Sequence, residues 1–420
     1  MRIFLKIIIS IIGIILIVSM FYIGYSNYLE NKIEKLYKEK EDILSTYNIP
    51  LKNKGTAWID KSMMGDNLGV FGSSELDSIV GQNIKYNFPN DKYEGNISCI
   101  GEAHVQNMLH SINLGANYKS FKGKNLVVIE SMQWFYDKDK KTDAFMAKFS
   151  DLQFYEFMQN DLISDKNKNY LCKRFLDLES KRMLELRDKD KDADFEYPRV
   201  HILAALYSSD KKVDRFIYHL MRPYYYSEYK ILSLKDKNNT YKYFRDLRVN
   251  YDKPMFVTDW NKQLDEATKQ GMASCTNNDL FVYDEYYNKY LRDGWGSLKD
   301  SKKDMPLLES KEWEDYKFLL SVCKDLKIKP LIINVSCNPR YYNYIGITLD
   351  KRRPYYNRIS DVAKENGFTV YNGLIERENE SYLFQDVMHL GWKGWIYLTE
   401  EITTYFEKID NNKMGEENAI

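Results

Sequence analysis

Metal-binding and redox patterns are what this 420-residue chain most plainly lacks. Its five histidines and five cysteines do not fall at ligand spacing. Cys99, Cys172, Cys275, Cys323 and Cys337 are odd in number and include no C-x-x-C pair, which argues against a disulfide framework as well as a metal centre. Cys99 and Cys337 flank apolar runs and read as small buried hydrophobes. No metal and no cofactor is therefore expected. Neither charge prevails: Lys+Arg and Asp+Glu both number 61, so the chain as a whole exerts no pull on nucleic acid or another polyanion. Attraction to a polyanion must come from a local patch or from membrane tethering. Only nine prolines interrupt the chain, and its 44% apolar and 15% aromatic content excludes global disorder. The length can bury one large core, or a core with a sizeable insertion.

Charge is absent altogether from Ile7 to Tyr25, and at about 1.5 Å per helical residue this apolar run is roughly what crosses a bilayer's hydrocarbon core. A retained anchor over residues 7–25 is expected rather than a cleaved signal peptide, because Gly24-Tyr25-Ser26 is a poor cleavage site. Arg2 and Lys6 precede the run, while Glu30, Lys32 and Glu34 follow it with mixed charge. That puts residues 1–6 in the cytoplasm and the bulk of the chain outside the cell membrane. Ile33, Leu36, Tyr37, Ile43 and Leu44 recur at helical spacing, so residues 26–50 read as an amphipathic stalk that lifts a domain of residues 51–410 off the membrane. Residues 411–420 are polar and read as a flexible tail.

Five short apolar runs, Leu68–Phe71, Ile97–Ile100, Leu126–Ile129, Leu331–Val335 and Thr369–Tyr371, each end in turn or polar residues and read as buried parallel strands. Alternating with helices, they predict an α/β protein with a doubly wound, mostly five-stranded parallel sheet. Between the third and fourth runs, helical patterns dominate, including Phe145 to Phe157, His201 to Tyr207 and Phe216 to Leu220. A large helical insertion, about residues 140–320, is expected to pack over the sheet.

In such sheets ligands sit beyond the carboxyl ends of the strands. Ser74 follows the first run in a Gly-x-Ser turn, with Ser73 as the neighbouring alternative and an ordinary capping serine as the competing reading. Gly101 closes the second run, where its N–H, like that of Ser74, can approach an oxyanion; His104 and His110 beyond it read as polar-face or core imidazoles. Gln133, after the third run, is the candidate side-chain donor to the same oxyanion. Trp134, Asn338, Tyr341 and Tyr342 are candidate substrate-lining residues in loops rich in aromatic and amide groups. Near the C-terminus, Asp386-Val387-Met388-His389 spaces an Asp three residues before a His. Such a His can take a serine proton while the Asp fixes its tautomer. The expected catalytic set is Ser74, His389 and Asp386.

This order of blocks resembles the SGNH hydrolase superfamily, with Ser73 where that pattern has Asp and Gln133 where it has Asn. Gly72-Ser73-Ser74-Glu75-Leu76, Ser131-x-Gln133-Trp134-Phe135, Trp260-Asn261, Thr276-Asn277-Asn278 with Asp284-Glu285-Tyr286-Tyr287, Asn338-x-x-Tyr341-Tyr342 through Gly346, and Asp386-x-x-His389-x-Gly391-Trp392-x-Gly394-Trp395 together resemble the DltD family. The likeness extends from the N-terminal span to Trp395, with Met132 in the place of a proline and Tyr341 in that of a tryptophan. It implies an SGNH-type sheet and a single-pass membrane protein of Gram-positive bacteria that acts in lipoteichoic-acid D-alanylation. The implied partners are lipoteichoic acid, a D-alanyl donor, a membrane-bound O-acyltransferase and a small D-alanyl carrier protein. A thioesterase or esterase would use the same triad, and a docking module with a relic triad is the alternative from another class.

Overall fold

The computed structural model describes residues 2–190, 196–248 and 255–417. In chain order the elements that matter are helix α1 (Arg2–Lys38), strands β1 (Leu68–Phe71) and β2 (Ile97–Ile100), α2 (Asn107–Ala116), β3 (Leu126–Ser131), α3 (Asp151–Gln159), α4 (Asp165–Lys189), α5 (His201–Ser208), α6 (Lys212–Asp246), α7 (Trp260–Ser274), α8 (Asp284–Tyr290) and α9 (Glu312–Asp325). They end with β4 (Leu331–Val335), α10 (Pro339–Tyr344), α11 (Leu349–Glu365), β5 (Val370–Tyr371) and α12 (Trp392–Glu417). All strand pairings are parallel, in the order β2-β1-β3-β4-β5.

The strands read as unbroken apolar runs because both faces are covered. Leu68 and Val70 of β1, Val127 and Ile129 of β3, and Leu331, Ile333 and Val335 of β4 join one core with Ala267 of α7 and Trp395, Ile396 and Ile402 of α12. Phe71, Leu126, Val128 and Ile332 point the other way, into a core shared with α2, α9 and α11. Period-two alternation thus survives in the strands, but both alternates are hydrophobic. The α/β expectation is met, and four of the five runs begin where the sequence placed them. β5 is one residue shorter than expected, and Thr369 contributes only a carbonyl to Ile332 N–H at 3.0 Å.

The flanking helices pack as follows. In the 26–50 segment, expected as an amphipathic stalk, α1 continues unbroken from Arg2 to Lys38, and its Leu29, Ile33 and Tyr37 are buried. Ile33 and Tyr37 pack with Leu44, Trp58 and Phe244, so the apolar side that marked the segment as amphipathic is a third small core. Burying large side chains of this kind is worth roughly 1.5–3 kcal/mol each. The helices of the 140–320 segment pack in several places. α6 packs lengthwise against α1, α9 covers the sheet beside α2, and α7 reaches the opposite face to pack on α12. Residues 191–195 and 249–254 of that segment lie outside the described residues, as do 418–420 of the expected tail, whose earlier part continues α12 to Glu417.

Candidate functional site

β1 has β2 on one side and β3 on the other, so the chain reverses direction across the sheet beside it, and a crevice opens at the carboxyl ends of β1 and β3. Ser74 lies at that point, opening a short 3₁₀ turn (Ser74–Asp77) directly after β1, and Gln133 lies in the matching turn after β3. His389 Nε2 stands 2.9 Å from Ser74 Oγ, and His389 Nδ1 stands 2.7 Å from Asp386 Oδ2. The three side chains that the sequence reading singled out form one hydrogen-bonded chain.

The Asp-x-x-His spacing works because Asp386 closes its own turn. Asp386 Oδ1 accepts the N–H groups of Met388 at 2.9 Å and His389 at 2.8 Å, leaving Oδ2 for the imidazole. The turn is tied down from three sides: Gln385 N–H donates to the His389 carbonyl, Asn338 N–H to the Val387 carbonyl, and Ser78 Oγ to Gln385 Oε1. Ser73 faces elsewhere, donating its hydroxyl to the Glu102 carbonyl at 3.2 Å. Of the two adjacent serines, Ser74 is the one presented to the histidine.

Burial by itself disfavours the His389 imidazolium, but the hydrogen bond and charge of Asp386, with Glu75 and Asp77 nearby, outweigh it and carry His389 up to about 9. Burial likewise opposes the Asp386 carboxylate, and its bonds to His389 and to the two backbone N–H groups prevail, holding it below the usual carboxylate range. The resting pair is thus imidazolium and carboxylate at neutral pH.

Glu75, absent from the sequence-based candidates, organises the other half of the site. Its buried carboxylate accepts Gln133 Nε2–H at 2.6 Å and Ser73 N–H at 3.0 Å, holding the Gln133 amide 3.5 Å from Ser74 Oγ. A charged acceptor of this kind fixes a donor more firmly than a neutral one. The signal was its adjacency to Ser74, which puts it in the same turn.

Gly101 takes a different part from the one expected. Its N–H is donated to Asn53 Oδ1 at 2.9 Å, so it is already engaged. The glycine is required for another reason: at φ +122° an added Cβ would stand 1.8 Å from the Gly72 carbonyl oxygen, in the turn that presents Ser74. Asn338 is likewise committed internally. It caps α10 by accepting the N–H groups of Arg340 and Tyr341 and donates to the Leu280 carbonyl at 2.9 Å.

A cavity of about 450 Å³ opens beside Ser74 and Gln133, and Trp134, Tyr341 and Tyr342 line it as expected. His104, Tyr136, Lys141, Lys302, Met305 and Met388 line it too, and none of these was singled out as a ligand contact. Lys302 and Met305 arrive from the far end of the helical segment, a placement no local pattern carries. His104 precedes α2 and adopts a left-handed backbone at φ +69°. His110 does lie in α2, but it is a core residue edge-on to Phe71 at 5.6 Å, and burial pushes it down to about 3. Beneath the cleft, burial raises Glu130 to about 8, and Asn107 donates to it at 3.1 Å.

Fold and site together define an α/β protein that presents a hydrogen-bonded serine, histidine and aspartate at the carboxyl edge of a parallel sheet. The family model described as DltD protein matches residues 50–407, and the chain belongs to the DltD family. It is similar to Protein DltD of Bacillus subtilis (strain 168), 25% identical over 340 residues that cover 81% of this chain and 82% of the relative. Protein DltD of Staphylococcus aureus (strain NCTC 8325 / PS 47) is 23% identical over 351 residues, 80% of each chain. Protein DltD of Lacticaseibacillus rhamnosus is 22% identical over 312 residues, 73% of this chain and 70% of its own.

Proposed function

We propose that this protein transfers D-alanyl groups to lipoteichoic acid through an acyl-Ser74 intermediate, with the domain held at the outer face of the membrane by α1. The observation that carries the reading is the continuous hydrogen-bonded chain from Asp386 through His389 to Ser74. Neutral His389 takes the Ser74 proton as Oγ attacks the acyl carbonyl of the donor, and Asp386 stabilises the imidazolium so formed. Gln133 and the Ser74 N–H receive the oxyanion, and one donor of that kind is typically worth roughly 3 kcal/mol of transition-state stabilisation. His389 returns the proton to the leaving group, which departs and leaves the acyl ester on Ser74. An acceptor hydroxyl of the teichoic acid then gives its proton to His389 and attacks the ester, and His389 passes that proton to the departing Ser74 Oγ, which regenerates the hydroxyl. Exclusion of water from the cavity decides transfer against hydrolysis. The partners in this reading are a membrane-bound O-acyltransferase and a D-alanyl carrier protein, which bring the acyl group to the membrane.

The test is to incubate the full chain in membranes with a labelled acyl donor and teichoic acid and to follow the label. Label on Ser74 followed by label on the polymer supports transfer. Release of free acid instead makes the protein an esterase or thioesterase. Failure of a serine-directed covalent probe to label the folded protein at any pH from about 6 to 9, where a histidine base titrates, makes it a docking module.

A further inference from the structure

We propose that the amino-terminal half of α6 is a membrane-docking face that lies on the anionic phospholipid surface beside the point where α1 enters the bilayer. The inference rests on the reading of α1 as a membrane anchor.

α1 and α6 run parallel and in register. Lys230 Nζ lies over the Tyr22 ring at 5.8 Å, Asn238 Oδ1 accepts from Tyr25 Oη at 3.2 Å, Lys237 pairs with Glu30 at 2.8 Å, and Lys40 Nζ donates to the carbonyls of Phe244 and Leu247 at 2.8 and 2.7 Å. Ahead of Tyr22 the two helices part company. The large apolar side chains of α1 from Phe4 to Phe21 that are described are exposed, whereas Leu29, Ile33 and Tyr37 are buried. The preceding half of α6 therefore borders the side on which α1 leaves the domain.

That half carries an unpartnered stripe. Val213, Phe216, Leu220, Tyr224 and Ile231 recur at three-, four- and seven-residue steps, which puts them on one side of a helix, and they are 54–70% exposed. The opposite side is satisfied, with Tyr218, Met221, Tyr225 and Tyr229 packed on the main core. Such a stripe on a soluble surface costs solubility unless something covers it.

Charge indicates what covers it. Lys212, Arg215, His219 and Arg222 are exposed and follow the same helical spacing as Lys230; Lys212 and Arg215 give the stripe a basic edge, while His219 and Arg222 line a groove with Asp161 and Asp165. The two acidic residues of the segment are otherwise engaged, Asp214 with Ser209 Oγ at 2.5 Å and Glu228 with Arg199 at 2.8 Å. Among the described residues, no carboxylate pairs with Lys212, Arg215 or Arg222. Apolar side chains flanked by cations, with Tyr22 and Tyr226 around Lys230 and with Tyr25 and Tyr28 stacked further along α1, match the chemistry of a bilayer's headgroup layer. There tyrosine sits at the boundary and arginine and lysine meet lipid phosphate. Continuity with the anchor selects the membrane over a soluble partner.

The five native cysteines are buried, so single cysteines introduced on the surface can be labelled selectively. The full chain bearing Phe216→Cys, Leu220→Cys or, as a reference within the anchor, Ile14→Cys is nitroxide-labelled and reconstituted in phosphatidylglycerol vesicles. Spin relaxation then reports access of oxygen and of a water-soluble nickel chelate. At positions 216 and 220 we expect oxygen access to exceed nickel access, as at 14. Arg215→Glu combined with Arg222→Glu, or replacement of the lipid by phosphatidylcholine, should move 216 and 220 to the water-exposed pattern while 14 stays unchanged. Nickel access at 216 and 220 in phosphatidylglycerol, with position 14 still shielded, overturns the docking face but leaves the anchor standing. Exclusion of both reagents at 216 and 220 overturns it in favour of a second copy of the chain. Nickel access at position 14 removes the anchor reading itself, and the docking face with it.

Discussion

Raising the pH should accelerate acylation of Ser74 while it weakens the fold. His389 titrates at about 9, so at neutral pH only about 1% of molecules hold the neutral imidazole that can accept the serine proton. The rate of labelling by a serine-directed fluorophosphonate should therefore climb about tenfold per pH unit from about 6.5 and level off above about 9. Stability moves the other way. In the unfolded chain the same group titrates near 6.5, and the difference corresponds to on the order of 3 kcal/mol. Because the folded value is the higher one, this contribution is fully present below about pH 6.5, declines across the window and is gone above about 9. Labelling rates and denaturant midpoints measured in the same buffers test both halves. Glu75→Gln should shift the rising limb to lower pH, since Glu75 is one of the charges that favour the imidazolium. Labelling that is flat between about pH 6.5 and 9, or stability that rises through that window, refutes the assignment of His389 as a base held by Asp386.

Ser74→Ala should abolish labelling with the melting temperature unchanged, whereas Ser73→Ala, which removes only a hydroxyl bonded to the Glu102 carbonyl, should be milder; reversed behaviour in the labelling assay would exchange the two serines. Asp386→Asn should lower turnover by roughly 10⁴-fold, as the equivalent change does in a serine protease, while its melting temperature near pH 9 stays close to the unsubstituted protein's. Gln133→Ala should lower kcat by roughly 10²- to 10³-fold with little change in KM, read in the same transfer assay. Trp58→Ala, in the small core that joins α1 to α6, should cost roughly 3–5 kcal/mol in denaturant unfolding and leave the chemistry of the surviving folded fraction unchanged.

What the sequence disclosed and what it hid divide along a physical line. The strands were legible because a sheet covered on both faces leaves no polar alternate to blur a run such as Leu331–Val335. Asp386 and His389 were legible because one turn joins them, and a short sequence interval is enough to specify that turn. Ser74 needed only a glycine turn after a strand. The pairing of α1 with α6 was hidden because its contacts join residues some two hundred positions apart, and either helix alone reads as an amphipathic segment whose partner is unspecified. At Gly101 the sequence drew attention to the N–H, and the structure adds a second demand, that no side chain fits beside the Gly72 carbonyl. Glu75 escaped notice because a carboxylate after a serine is ordinary until the fold buries it against Gln133.

The unbroken course of α1 ties the compass bearing of the cleft to the helix segment apolar enough to cross a membrane. A single 37-residue helix supplies both the segment apolar enough to cross a membrane and the ridge on which Trp58 and Phe244 pack, with no proline between them to act as a swivel. One residue inserted just ahead of Tyr22 would turn the whole domain about 100° around the helix axis and raise it about 1.5 Å, whereas an insertion of four would bring the bearing back to within about 40°. Anything that grips one side of that helix segment would therefore also set the direction in which Ser74 faces, so that helical phase, more than distance, would govern the bearing of the cleft.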